Sequence, residues 1–137
     1  MSAYLKPLPA IDERNRPHWE GARQGRLMIQ ACSDCGALRY PFSKLCPHCH
    51  GTKAEWRQAT GRGTVWSWCV FHRVYFKGFE TAMPYSVVLI QLDEGVKLYS
   101  NLIGVPQDQI RIGMRVRAVF EPATDAVTLV KFEEDKT

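Results

Sequence analysis

The sequence predicts a mainly β protein in which an N-terminal arm and one short helix precede a small cysteine-bearing hairpin module and a five-stranded barrel. Three observations carry this expectation. Beyond residue 63 the chain holds five runs rich in β-branched, aromatic and other apolar residues, and no helical pattern of comparable strength competes with them. Before that point stand two Cys-x-x-Cys pairs, Cys32/Cys35 and Cys46/Cys49, separated by ten residues. The helix-compatible stretch is confined to residues 12–24.

The totals fit one compact core with a small attached module. The chain has 137 residues, 45% hydrophobic and 23% charged, which is ordinary globular composition and excludes a disordered chain. Its start lacks an apolar targeting segment, and no apolar run approaches the roughly 20 residues that span a bilayer, so a cytoplasmic location is expected. Without a secretion signal, five cysteines read as reduced thiols rather than a disulfide framework. The net charge of +4 lies wholly in residues 1–60, with nine Lys/Arg against five Asp/Glu, while residues 61–137 are balanced at nine each.

In order along the chain, Pro7-Leu8-Pro9 predicts an extended arm, because each proline fixes its own φ and disfavours helix in its predecessor. A helix is expected over 17–24, opened by Pro17 and ended by Gly25, with Trp19 and Ala22 on one packed face. Residues 27–30 read as a strand entering Cys32 and residues 38–40 as one leaving the first pair. The two glycines of Ala59-Thr60-Gly61-Arg62-Gly63 mark a junction. The predicted modules are therefore 1–26 (arm and helix), 27–60 (cysteine module) and 61–137 (barrel). The barrel strands are expected at 64–74, 85–92, 97–103, 115–120 and 127–132, with turns at Asp93-Glu94-Gly95 and 122–125. The near-continuous apolar run 85–90 reads as a strand buried on both faces, whereas 115–119 alternates. Five strands in so small a unit suggest an OB-like barrel.

The paired cysteines point to one structural zinc ion held by Cys32, Cys35, Cys46 and Cys49. Each Cys-x-x-Cys turn delivers two thiolates, and four thiolates complete a tetrahedral shell. A filled shell leaves no place for His48 or His50 as ligands, nor for the bound water that a catalytic zinc requires. A segment this short has too small a core of its own, so metal binding supplies most of its folding free energy.

Among other residues, Cys69 reads as a buried small hydrophobe, since it and His72 are three apart and face opposite sides of a strand. Asp93 and Glu94 are adjacent residues of a hairpin turn rather than a catalytic pair. The loop His72-Arg73-Val74-Tyr75-Phe76-Lys77-Gly78-Phe79 mixes cationic and aromatic side chains suited to phosphate and a stacked ring, or to contact with another subunit. Phe76 and Phe79 are apolar for an exposed loop and point to burial against a partner.

The segments around Trp19, Gly25-Arg26-Leu27, Cys32-Ser33-Asp34-Cys35-Gly36, Tyr40-Pro41 and Cys46-Pro47-His48-Cys49 resemble the rubredoxin-like zinc ribbon of a bacterial and archaeal family, formerly a domain of unknown function, that joins such a ribbon to an OB fold. Gly63-Thr64-Val65, His72-Arg73, Pro84-Tyr85, Leu92-Asp93-Glu94-Gly95, Ser100-Asn101-Leu102 and Ile112-Gly113-Met114 resemble its OB portion. The resemblance implies a non-catalytic accessory subunit of thiolase-like enzymes (thiolases, acyltransferases or lipid-transfer-type aldolases) that helps to assemble the complex and to hold acyl-CoA. Carried over, it makes the four cysteines the ribbon ligands; Arg73 and Lys77 are candidate coenzyme A contacts by their charge and placement, and Trp19 of the helix with Phe76 and Phe79 of the loop are candidate docking residues. The sequence departs from the family pattern at His50, where glycine is more usual, which is expected to loosen the second knuckle. A rival expectation is single-stranded nucleic-acid binding, with Trp66, Trp68 and Phe71 stacking bases, but the neutral barrel half argues against a basic groove. An independent acyl-CoA hydrolase lacks a defensible catalytic arrangement.

Overall fold

A computed structural model describes residues 6, 8–40, 43–73, 78 and 84–136. Among the described residues a single α-helix, α1 (Arg16–Arg23), is followed by two antiparallel sheets. The first has three strands in the order β2-β1-β3, from β1 (Met28–Cys32), β2 (Leu38–Arg39) and β3 (Ala54–Gln58). The second has five in the order β6-β5-β4-β7-β8, from β4 (Arg62–Phe71), β5 (Tyr85–Leu92), β6 (Lys97–Ser100), β7 (Arg115–Pro122) and β8 (Thr128–Glu134).

The start of α1 is organised by Asp12 and Asn15. The Asp12 carboxylate accepts the Arg14 and Asn15 N–H groups, and Asn15 Nδ2 donates to Ala10 O at 3.0 Å, which fixes the turn into the helix. Pro17 sits in the first turn, and Gly25 takes φ +78° beyond the last. The buried face is His18, Gly21 and Ala22, with Trp19 half-buried at its edge. Gly21 is required there, because a Cβ would run into the Met28 side chain.

The five-stranded sheet curls. Strand β4 is central, pairing with β5 over residues 63–71 and with β7 over 62–64. The segment after β6 meets β8 through one parallel bridge, Leu102↔Phe132, with Phe132 N donating to Asn101 O and Ile103 N to Phe132 O. This curled five-stranded arrangement agrees with the predicted OB-like barrel. Its core holds Val65, Val88, Ile90, Leu92, Met114, Val116 and Phe132, all at most 2% exposed. Leu27, Ile29 and Ala59, from the segments flanking the three-stranded sheet and from β1, belong to the same cluster. One core therefore serves both sheets.

Three expectations are corrected. Strand β3 was not foreseen: it pairs with β1 from Met28↔Gln58 to Cys32↔Ala54 and turns the expected hairpin into a sheet. Strand β5 is buried on one face only, alternating half-buried and buried from Tyr85 to Leu92, because the sheet covers a core on its concave side alone. Cys69 is exposed rather than buried. The outer half of β4, residues 66–69, extends past β7 and among the described residues has only β5 beside it, so Trp66, Ser67, Trp68 and Cys69 all meet solvent.

Candidate metal centre

Each cysteine pair is set by the same local hydrogen bonds. In the first knuckle Cys32 N donates to Ala37 O (2.8 Å) and Gly36 N to Cys32 O (2.9 Å); in the second Cys46 N donates to Gly51 O (3.0 Å) and His50 N to Cys46 O (2.9 Å). Gly36 and His50 thus occupy equivalent places, and both take positive φ, +80° and +62°. His50 is the one non-glycine in that region among the described residues. The second knuckle is not loosened, as its departure from glycine had suggested. It holds the same turn with a strained histidine in the glycine position.

Gly51 explains why the second knuckle keeps a glycine one place later. A Cβ there would strike the Asp34 carboxylate and approach Cys49 Sγ to 3.2 Å, so the two turns close over each other only because residue 51 has no side chain.

The four Sγ atoms lie within 4.8 Å of one another, with Cys32–Cys49 at 3.5 Å and Cys35–Cys46 at 3.6 Å. A tetrahedral zinc with bonds of about 2.3 Å needs sulfurs about 3.8 Å apart, and the cluster fits that shell. His48 N and Gly51 N approach Cys46 and Cys49 Sγ at 3.4 Å each, as donors that stabilise thiolate. The first thiol of each pair is the more acidic. Cys32 is pushed down to about 6 by the Cys35 and Asp34 N–H groups, and Cys46 is lowered by those of Cys49 and His48. At Cys49 the Gly51 N–H works downward but is outweighed by the shared thiols, led by Cys32, and by burial, leaving it near 12. At Cys35 the Ala37 N–H likewise lowers, and the Cys46 thiol and burial prevail. A cation placed among the four sulfurs removes that mutual repulsion and allows all four to ionise. Neither His48 nor His50 belongs to the cluster.

The family model for the rubredoxin-like zinc ribbon domain of ChsH2 matches residues 19–55, and that for the ChsH2 C-terminal OB-fold domain matches 56–121. A DUF35 domain-containing scaffold protein of Methanocaldococcus jannaschii is 34% identical over 104 residues, covering 74% of this chain and 73% of its own. The chain belongs to the DUF35 family. A probable enoyl-CoA hydratase alpha subunit of Thermomonospora curvata is 41% identical over 128 residues, covering 93% of this DUF35 chain, which spans only 40% of that relative. The solved structure of an Ltp2–ChsH2(DUF35) aldolase contains a chain that superposes with a TM-score of 0.81 at 40% identity, covering 93% of this chain and 98% of its own. With the cluster geometry, the ribbon match makes Cys32, Cys35, Cys46 and Cys49 a structural zinc site.

The other anticipated residues are not brought to that centre. Arg73 is exposed just past the end of β4, and Lys77, Phe76 and Phe79 lie outside the described residues. Trp19 lines a shallow cavity of about 280 Å³ with Ile11, Arg16, Glu20, Arg23 and Ala126. Trp66 is 49% exposed and carries Lys97 Nζ 4.0 Å above its ring, while Trp68 is 37% and Tyr99 73% exposed. No helix among the described residues is long and apolar enough to cross a membrane.

Sequence reasoning passed over one polar cluster. Arg39, Gln30 and Trp56 form a transverse row across β2, β1 and β3, and Gln30 Oε1 accepts both Arg39 Nε (3.0 Å) and Ser43 N (2.9 Å). Its only signal was the placing of a charge and an amide in short strands that otherwise turn apolar residues inward.

Proposed function

We propose that this chain is a non-catalytic scaffold subunit that docks a thiolase-superfamily enzyme and assists acyl-CoA binding within the complex. The observation that carries the reading is its likeness, at 40% identity and over nearly the whole matched chain, to the component of an Ltp2–ChsH2(DUF35) aldolase. Two physical features agree with it. The zinc shell is filled by protein thiolates, which suits a structural rather than a water-activating metal. The outer half of β4 and, across β5, strand β6 present Trp66, Trp68 and Tyr99 to solvent, aromatic side chains of the kind enriched in protein interfaces. Trp19, Phe76 and Phe79 remain the proposed docking residues, and Arg73 with Lys77 the proposed coenzyme A contacts.

Co-expression with a thiolase-superfamily chain from the same genome, chosen as a homologue of the Ltp2 component, tests the proposal. A stable hetero-complex is expected, with enzyme activity dependent on this chain and lost when Trp66 and Trp68 are both changed to serine. A monomer that leaves the enzyme's solubility and activity unchanged overturns it. Exposed aromatics also suit base stacking, so a labelled oligonucleotide is the second arm: a salt-sensitive shift at micromolar protein, with no complex, favours the nucleic-acid reading.

A further inference from the structure

A groove of about 660 Å³ opens on the zinc ribbon, lined by none of the four cysteines and by no residue of the barrel surface discussed above. Its wall includes the Arg39–Gln30–Trp56 row, and its rim includes Glu13, Arg14 and Lys44. Arg39 is 7% exposed, with Nε on Gln30 Oε1 and one terminal nitrogen, Nη2, donating to Ser43 O at 2.9 Å. The other terminal nitrogen, Nη1, is buried and has no hydrogen-bond partner. It is the one such side-chain atom among the described residues. No carboxylate among the described residues is paired with this guanidinium, so a nearly buried cation stands with a donor to spare.

The surrounding charge has the same sign. Arg14, bridged to Asp12 at 3.2 Å, and exposed Lys44 stand against the single carboxylate of Glu13 on the groove itself. A guanidinium fixed on two sides and backed by two further cations is an arrangement for an oxyanion. Beside it lies Trp56, a half-buried indole on the edge strand β3, and Leu45, which is 51% exposed. Size, charge and a ring suited to stacking describe one ligand class.

We propose that this groove binds a nucleotide, its phosphate held by Arg39, Lys44 and Arg14 and its base against Trp56. The site is independent of docking, and so is its test, which uses the isolated zinc-loaded chain. Titration with ADP should give a saturable change in tryptophan fluorescence that weakens as salt rises, and Trp56→Phe should remove the change. Lys44→Ala, at an exposed position, should weaken binding about tenfold while leaving the melting temperature within a degree or two. Arg39→Lys reads the buried contact, and should weaken ADP further even though a charge is kept. Coenzyme A, which carries a phosphorylated adenosine of its own, is titrated in parallel: a stronger response than ADP identifies the nucleotide end of an acyl-CoA, and an equal one a free nucleotide. No saturable response to either at millimolar concentration overturns the proposal, as does inorganic phosphate binding as tightly as ADP, which would reduce the groove to a simple anion site.

Discussion

At His50 a side chain occupies a backbone conformation that L-residues disfavour, φ +62°, at the place where the first knuckle has Gly36. His50→Gly is expected to keep the metal and raise the stability of the zinc-loaded protein by up to about 1 kcal/mol, as relief of strain exceeds the added freedom of the unfolded chain. His50→Val should cost about 1–2 kcal/mol, because a β-branched residue tolerates this region least. Thermal melts of both variants against the parent measure the difference. His18 offers a second residue-level test. It is buried against Trp19 and Tyr40, with ring centroids at 4.8 and 5.3 Å, and burial lowers its pKa below 6.5 despite the nearby Met28 carbonyl. Below pH 6.5 the unfolded chain takes up a proton that the folded ring resists, so this residue's part in stability falls as pH drops through 6.5 and levels off below the folded value. Denaturant melts between pH 7.5 and 5.5 should show a shallower decline in His18→Gln than in the parent.

At the scale of elements, the glycine at 63 is decided by the neighbouring strand. A Cβ there would lie 2.5 Å from Gln91 O and 3.0 Å from Ile90 Cγ2, so Gly63→Val should cost more than about 2 kcal/mol and break the β4–β5 register. Loss of amide exchange protection along β5 would report it. The five barrel strands were legible because their alternation and turn residues are strong. Strand β3 was not, since Ala54-Glu55-Trp56-Arg57-Gln58 is half-buried or exposed throughout and owes its form to backbone pairing with β1 rather than to a buried face. The exposure of Cys69 was equally hidden. Trp66-Ser67-Trp68-Cys69 reads as core by composition, and only the early end of the β4–β7 pairing leaves it uncovered. The four zinc ligands were legible because their chemistry is local to two short turns. The Arg39 groove was not, because it is assembled from α1's approach, three strands and the segment at 43–45, whose meeting no single stretch encodes.

For the whole molecule, the decisive fact is the shared core. Leu27 and Ile29 of the ribbon side pack in one cluster with Val65, Ile90 and Phe132 of the barrel, so the two sheets are not free to melt separately. Chelation of zinc, or Cys46→Ser, is therefore expected to lower the stability of the barrel as well as the ribbon, with calorimetry showing one transition that moves as a unit. Two separate transitions would refute it. Leu27→Ala, at 2% exposure, should cost about 2–5 kcal/mol and shift that same single transition.

The parallel bridge between Leu102 and Phe132 carries a consequence for the order in which the protein is made. The barrel closes only when β8, the last strand, comes back to the segment after β6, and β7 too gains its outer neighbour only then. On a ribosome the two knuckles emerge complete once Gly51 is out, so metal capture by the nascent chain comes long before the barrel is sealed. Until residues 128–134 appear, β7 has a bare edge and the apolar face of the curled sheet lies open, which makes the unfinished chain most adhesive between the emergence of β7 and that of β8.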